Sequence, residues 1–177
     1  IKYVVDDLVR GREEGKTIIE NSSKGSSGSN GVVERAVQTI EGLIRSILLG
    51  LEVRLGRKVD ARERIVSFIP EYAAYLFNRL HQGKDGKVPY ERVKGKKPTV
   101  LAVEFGEKRW HHKHSGGKLE KINSKWEEGV FVGVQVRSNE VMVSTKFGIV
   151  EVRSVMRMAE QNRWGKDNVE LACWAPW

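Results

Sequence analysis

Between residues 31 and 80, apolar residues recur at intervals of three and four, a spacing that predicts amphipathic helices. The first helix should begin at Gly31, where Ser29 or Asn30 is suited to cap its N-terminus. Gly56 weakens its far end. Its apolar stripe contains Val33, Val37, Ile40, Ile44, Ile47 and Leu51. We therefore expect one side of this helix to be buried against a larger body.

A second helix is predicted from Asp60, because Glu63 follows at the spacing of a capping box. Its apolar face contains Ile65, Phe68, Ile69, Tyr72, Ala73, Leu76, Phe77 and Leu80. Pro70 lies inside this pattern and should kink the helix, since proline removes a donor and crowds the preceding turn. After the break HQGKDGK, the segment VPYERVKG has room for at most two helical turns, with Pro89 in the first.

From about Thr99 the pattern changes to short Val-rich segments, which predict β-strands. These segments are VLAVEF, GVFVGVQV, EVMVST and GIVEVRSVM, and the turn signals HSGG, RSNE and TKFG lie between them. Short strands at this spacing are typical of a small antiparallel barrel. At the N-terminus, residues 1–14 have helical periodicity, KTIIE resembles a brief strand, and residues 21–31 form a Ser/Gly-rich loop. The tail from about Ala159 contains three tryptophans, but its pattern indicates no particular structure.

Composition limits the class of protein without changing this picture. The chain has 177 residues and is 40% hydrophobic, which suffices for one medium domain or two small ones. Cys173 is the only cysteine, so neither an internal disulfide nor a cysteine-based zinc site is possible, and a reducing compartment is expected. No apolar run approaches the roughly 20 residues that span a membrane. Because the chain begins with Ile, we expect it to be part of a longer protein.

Positive charge is concentrated in the middle of the chain. The formal net charge is +8, and the segment from Lys84 to Lys125 has twelve Lys/Arg against five Asp/Glu. Such an excess indicates a polyanionic partner, although a charged run is also typical of an ordinary solvated surface. The candidate phosphate-binding residues are Lys94, Lys96, Lys97, Lys108, Arg109, Lys113 and Lys118. Trp110 and Trp126 lie among them, where core positions in a small barrel are the favoured interpretation.

Three histidines, His111, His112 and His114, lie close together in the same basic segment. In a strand, His112 and His114 would point to the same side. No carboxylate or cysteine completes a metal-ligand set at suitable spacing. We therefore favour exposed histidines in a basic hairpin over a metal site.

Three stretches in order resemble the integrases of retroviruses and of copia-type retrotransposons. SNGVVER resembles the last catalytic motif of these enzymes, in which Asn-Gly leads into a helix that carries a glutamate. YLFNRLHQGKDGKVPYERVKGKKP resembles the segment that follows the catalytic core of copia-type integrases, and Phe105-Gly106 follows in the expected place. GKLEKINSKWEEGVFVGVQV is similar to their strand-rich C-terminal segment. The likeness covers roughly residues 1–157.

The resemblance implies that Glu34 is the glutamate of an Asp-Asp-Glu triad. Integrases of this type use two divalent cations, Mg²⁺ or Mn²⁺, held by such carboxylates. Asp6 and Asp7 lie too close to Glu34 to match the second Asp, and their helical pattern indicates solvent-facing acids. Both catalytic Asp residues are therefore expected to lie outside this chain. We predict that the chain alone holds no metal and neither cleaves nor joins DNA.

Without the resemblance, Glu34 would be interpreted as a first-turn acid favoured by the helix dipole. Helical spacing places Glu34, Gln38, Glu41 and Arg45 in one stripe. The resemblance implies that this surface faces DNA. Asn30, Arg35 and Gln38 are then candidate DNA contacts, with Gln38 near the cleaved end and Arg35 on the backbone.

The expected fold class is α+β: the C-terminal end of an RNase H-like α/β core with long helices, followed by a small SH3-like antiparallel β-barrel. The expected divisions are the truncated core (1–56), a helical extension with a basic linker (57–98), the DNA-binding barrel (99–157) and a Trp-containing tail (158–177).

The function implied by the resemblance is DNA integration as part of a retrotransposon Pol polyprotein. Its partners would be element ends and target DNA, the rest of the polyprotein and further copies of the integrase, without a membrane. It would act in the nucleus, after a cytoplasmic particle stage. The alternative is a non-catalytic module of a decayed transposable element that binds nucleic acid or chromatin. A purely structural interaction domain is disfavoured by the positive segment.

Overall fold

The computed structural model of this chain describes residues 31–112 and 125–176. The predicted helix at 1–14, the KTIIE strand and the Ser/Gly-rich loop lie outside the described residues, as do the HSGG turn, Asn30, Lys113, His114 and Lys118. The chain divides into two units, Ile1–Ala36 and Val37–Trp177, and only residues 31–36 of the first are described.

The first predicted helix is confirmed as α1, Gly31–Leu55, and Gly56 follows it with a φ of 64°. The left-handed backbone at Gly56 is what a glycine after a helix end commonly adopts. Only the C-terminal half of the predicted stripe is packed: Leu51 is fully buried, whereas Val33 and Val37 are 64% and 49% exposed. The prediction of a fully buried stripe is therefore wrong for the first turns of α1. The core that α1 packs against lies beside its C-terminal half, where Ile44, Ile47, Leu48 and Leu55 are partly buried.

The second helix was predicted to begin at Asp60, and this predicted start is wrong. Residues Arg64–Phe68 form a 3-10 helix, and the α-helix α2 is Ile69–Leu80. Pro70 lies in the first turn of α2, where its missing N–H costs no hydrogen bond, so it starts the helix instead of kinking it. The Glu63 carboxylate does accept a hydrogen bond from the backbone N–H of Asp60 at 2.7 Å, as the capping-box spacing predicts. The short predicted helix is confirmed as α3, Pro89–Lys94.

In the described part of the chain, five strands follow α3, and all of their pairings are antiparallel. They are β1 (Lys108–His112), β2 (Trp126–Val134), β3 (Val141–Thr145), β4 (Gly148–Val152) and β5 (Val155–Arg157). The predicted strand VLAVEF is wrong, because residues 100–105 pair with no other strand and contribute only the buried side chains of Val103 and Phe105. The predicted strand GIVEVRSVM is two strands, since the chain bends between β4 and β5.

The sheet has the order β4-β3-β2-β1-β5, so the last strand returns to pair with the first. A bulge between Phe131 and Gly133 shifts the register of β2 against β3. Helices and one open antiparallel sheet together make an α+β fold, which confirms that part of the prediction. The predicted boundaries at 56, 98 and 157 stay predictions.

The core combines residues from α1, the helices after it, the sheet and the tail. Its members are Leu51, Val59, Ile65, Phe68, Ile69, Tyr72, Tyr75, Val103, Phe105, Val130, Phe131, Val132, Val134, Val141, Met142, Val143, Val152 and Ala172. Tyr72 lies at the centre of its aromatic part, stacked on Phe105 and edge-on to Phe131 with ring centroids 5.6 and 5.3 Å away. Burial of this kind of apolar surface is the main stabilising term of the fold.

The tail contains a 3-10 helix, Glu160–Asn162, and a short helix α4, Asp167–Leu171. The fully buried Asn168 donates from Nδ2 to the carbonyls of Gly106 and Arg163 at 2.7 and 2.9 Å. Trp164 packs against the core, whereas Trp174 is 43% exposed and Trp177 lies outside the described residues. The tail thus joins the sheet through buried hydrogen bonds as well as apolar contacts.

Candidate nucleic-acid interface

Glu34 lies in the first turn of α1, and its side chain is exposed. Arg35 and Gln38 on the same helix are exposed as well. Within residues 31–112 and 125–176, no three His, Cys, Asp or Glu side chains are grouped so that they would hold a metal ion. Glu34 is therefore positioned as a solvent-accessible carboxylate.

Three of the predicted phosphate-binding lysines are exposed together at the end of α3. Lys94 is the last residue of α3, and Lys96 and Lys97 follow directly after Gly95, which has a φ of 67° and ends the helix. Exposed ammonium groups at such spacing can neutralise neighbouring phosphates without any base contact. We call Lys94, Lys96 and Lys97 the lysine cluster.

Two other lysines are exposed but were not singled out from the sequence. Lys84 and Lys87 lie in the turn before α3, and both are exposed. The charge count between Lys84 and Lys125 included them, and their place in a turn was the signal that could have identified them.

Lys108 and Arg109, by contrast, are not available to a phosphate, which corrects their predicted role. The Lys108 side chain is 11% exposed, and its ammonium group pairs with Asp167 at 2.5 Å. Arg109 is 4% exposed, and its Nη2 donates to Glu107 at 2.9 Å. Both residues begin β1, where Lys108 pairs with an acidic residue of the tail and the charge of Arg109 lies in the interior of the fold.

Glu107 is the centre of this buried ionic network. It is 1% exposed, and besides Arg109 its carboxylate is approached by Arg157 at 3.4 Å and Arg163 at 3.5 Å. The backbone N–H of Glu104 also donates to it at 3.3 Å. Because these arginines come from β1, β5 and the tail, one carboxylate joins three separate parts of the chain.

The prediction of exposed histidines is confirmed for His112 and wrong for His111. His112 is exposed and lies edge-on to Trp126, with ring centroids 5.6 Å apart. His111 is 2% exposed, because alternate residues of β1 face the interior. Trp110 and Trp126 are both half-buried, and neither is a core residue, contrary to the favoured interpretation.

The residues of the second integrase-like stretch make a specific structural contact. Arg79 is 5% exposed, and its guanidinium carbon lies 3.8 Å from the ring centroid of Tyr75 and 4.7 Å from that of Tyr90. Its Nη2 donates to Asn139 Oδ1 at 2.8 Å. Stacking of this kind suits the planar guanidinium. Arg79 thus joins α2, α3 and the turn between β2 and β3.

The turn before α3 contains an ion pair that titrates at low pH. Nη2 of Arg92 donates to Asp85 Oδ1 at 2.5 Å and Nε to Oδ2 at 3.1 Å, and these hydrogen bonds lower the pKa of Asp85 from 3.8 to about 2. A depressed carboxyl pKa means that the pair stabilises the fold above about pH 4 and loses this effect as the pH falls towards 2.

We expect Arg92→Gln to raise the pKa of Asp85 towards its ordinary value of 3.8, because the substitution removes the donors that hold it down. The check is a titration of the Asp85 carboxyl carbon by NMR, with Lys94→Gln as the control that keeps the pair. A midpoint near 3.8 in the unaltered chain would contradict the predicted pairing.

The chain matches no protein-family model, no curated protein and no solved structure. None of the helices in the described ranges is long and apolar enough to cross a membrane.

Proposed function

We propose that this chain is the C-terminal part of a copia-type integrase and that it binds DNA with little sequence preference through the lysine cluster. The exposure of Lys94, Lys96 and Lys97 carries the proposal, because the neighbouring cations at 92, 108 and 109 are held in ion pairs. Phosphate contacts by exposed lysines supply most of non-specific DNA binding.

The remaining support comes from residues of the integrase-like motifs. Glu34 is exposed at the start of a long helix. A carboxylate that binds a metal ion beside DNA must be accessible in this way. Phe105 and Gly106 lie in the core beside β2, and Arg79 joins the segment after the helices to the sheet. The strand order is the one expected of an SH3-like barrel, in which the last strand pairs with the first. We therefore propose that residues 1–56 belong to an RNase H-like core and that residues 99–157 form an SH3-like domain.

In the complete enzyme, Glu34 would supply one carboxylate to a pair of Mg²⁺ or Mn²⁺ ions that stabilise the attacking and leaving oxygens. Hard cations of this kind take several oxygen ligands, and Glu34 is the one carboxylate that the resemblance assigns to the triad. We therefore expect the purified chain to show no Mg²⁺-dependent strand transfer. The proposed setting is the nucleus, with the rest of a Pol polyprotein and further copies of the integrase as partners.

The proposal predicts how salt weakens DNA binding. Each phosphate contact contributes about −0.9 to the slope of log K against log salt concentration on duplex DNA. Replacing Lys94, Lys96 and Lys97 by Gln should therefore make the slope shallower by up to about 2.7 and lower the affinity. The measurement is fluorescence anisotropy of a labelled 20-base-pair duplex with the full chain, at salt concentrations from about 50 to 200 mM.

A matched control removes the same charge elsewhere. Lys58, Lys146 and Lys166 are exposed and lie outside the segment from Lys84 to Lys125, so their replacement by Gln should change the slope much less. Equal slopes for the two triple variants, or a slope near zero for the unaltered chain, would overturn the proposed interface.

A further inference from the structure

A second feature on this side of α3 is a surface pocket of about 200 Å³ between α2, α3 and the turn after β2. It is lined by Asn78, Arg79, Pro89, Tyr90, Val93, Lys94 and Val136. Small-molecule sites are commonly larger, about 300–1,000 Å³. The pocket therefore has room for one or two side chains of a bound segment.

Arg79 gives the pocket a positive charge. No Asp or Glu of the described ranges pairs with it, and its buried Nε has no hydrogen-bond partner there. The one hydrogen bond of the guanidinium goes from Nη2 to the neutral amide of Asn139. A buried cation with unused donors favours a carboxylate, because leaving such a group unpaired costs free energy.

The rim of the pocket combines exposed aliphatic side chains with one member of the lysine cluster. Val93 is 80% exposed and Val136 is 58% exposed, although both are large aliphatic residues beside the cavity. Lys94 adds an exposed ammonium group to the same rim. An occupant that satisfies the whole site must combine an anionic group with adjacent aliphatic surface.

We propose that this pocket binds an acidic-aliphatic peptide segment of a partner protein, with a Glu or Asp carboxylate at Arg79 and Lys94 and a flanking aliphatic side chain on Val93 and Val136. A DNA phosphate would use the cations but gain nothing from the two valines. A purely aliphatic segment would leave the Arg79 charge unmatched. This site goes beyond DNA binding and does not depend on it.

The test uses the full chain, labelled with ¹⁵N, and three short peptides. Acetyl-Leu-Glu-Leu-amide is the probe, acetyl-Leu-Gln-Leu-amide removes its charge, and acetyl-Ser-Glu-Ser-amide removes its aliphatic groups. We expect the probe to shift the amide signals of Val93 and Val136 with a dissociation constant on the order of millimolar, as a contact of a few side chains allows. Each altered peptide should bind at least about fivefold more weakly, which is the loss of roughly 1 kcal/mol.

Variants locate the binding without disturbing Arg79, whose packing joins three elements. Val93→Ser with Val136→Ser should weaken the probe at least about fivefold, since both side chains are exposed and their apolar contact is removed. Val53→Ser is the control, because Val53 is 72% exposed but does not line the pocket.

Two outcomes would overturn the proposal. Equal shifts with the Glu and Gln peptides would show that the Arg79 charge selects nothing. Shifts at Val93 and Val136 with a 12-base-pair duplex, but with none of the peptides, would assign the pocket to DNA instead. Loss of duplex binding alone would contradict the proposed function and leave the peptide site in place.

Discussion

Glu107→Gln should lower the free energy of unfolding by about 3–5 kcal/mol, the usual cost of removing one partner from a buried ion pair. The carboxylate is 1% exposed and neutralises the equally buried guanidinium of Arg109, with Arg157 and Arg163 nearby. Gln has the same shape but no charge, so the guanidinium of Arg109 would stay buried without an anion. Urea unfolding followed by tryptophan fluorescence measures the change.

The control for this substitution is Glu104→Gln. Glu104 accepts two hydrogen bonds from Arg54 at 2.7 Å, yet both side chains are nearly half exposed. An exposed pair of this kind contributes about 0–1 kcal/mol. Replacing Glu107 by Gln together with Arg109 by Met should cost less than the two single changes added, because no unpaired charge is left between them. Similar losses for Glu104→Gln and Glu107→Gln would contradict the central role of Glu107.

Gly106→Ala should destabilise the fold by about 2–5 kcal/mol, because two separate costs add at this position. Gly106 has a φ of 83°, a left-handed backbone that an alanine adopts only with strain. A Cβ at this position would also overlap Cδ1 of Leu51, which is fully buried in the core, so the Leu51 side chain would have to shift. The loss is again measured by urea unfolding.

Gly86→Ala separates these two costs. Gly86 has a φ of 71°, but a Cβ there meets nothing within 4 Å, so only the backbone strain of about 1–2 kcal/mol applies. Combining Gly106→Ala with Leu51→Ala should give less than the sum of the single losses, since the smaller side chain makes space for the new methyl group. Equal effects of Gly106→Ala and Gly86→Ala would show that Leu51 yields to the added group.

The local sequence pattern predicted most of the helices and strands. It failed where contacts between residues distant in the chain decide the structure. The α1 bounds and the short helix α3 followed from periodicity, from Pro89 and from the glycines after each helix. The VLAVEF segment has strand-like composition, but no neighbouring strand is available to it, and strand formation needs a partner. Pro70 has two possible roles in a helical pattern, and the start of α2 at Ile69 selects the first-turn role.

The sequence predicted which lysines of the candidate interface are exposed. It did not predict which neighbouring cations are excluded from the interface by ion pairs. Lys94, Lys96 and Lys97 follow a helix end among glycines and a proline, so their exposure agrees with the local sequence. Lys108 and Arg109 belong to the same count of positive charges, yet they face Asp167 and Glu107. Asp167 is 59 residues away along the chain, so no local pattern could reveal the pair.

By itself, the sequence determined the helical periodicity, the strand-rich second half, the net charge and the integrase-like motifs, because each depends on residues close together in the chain. Only the tertiary structure decided which charges are neutralised, that Arg79 is stacked between Tyr75 and Tyr90, and that the tail contacts the start of β1. The physical reason is that burial and ion pairing join groups that are distant in sequence, and the free energy of a charge depends on that surrounding structure.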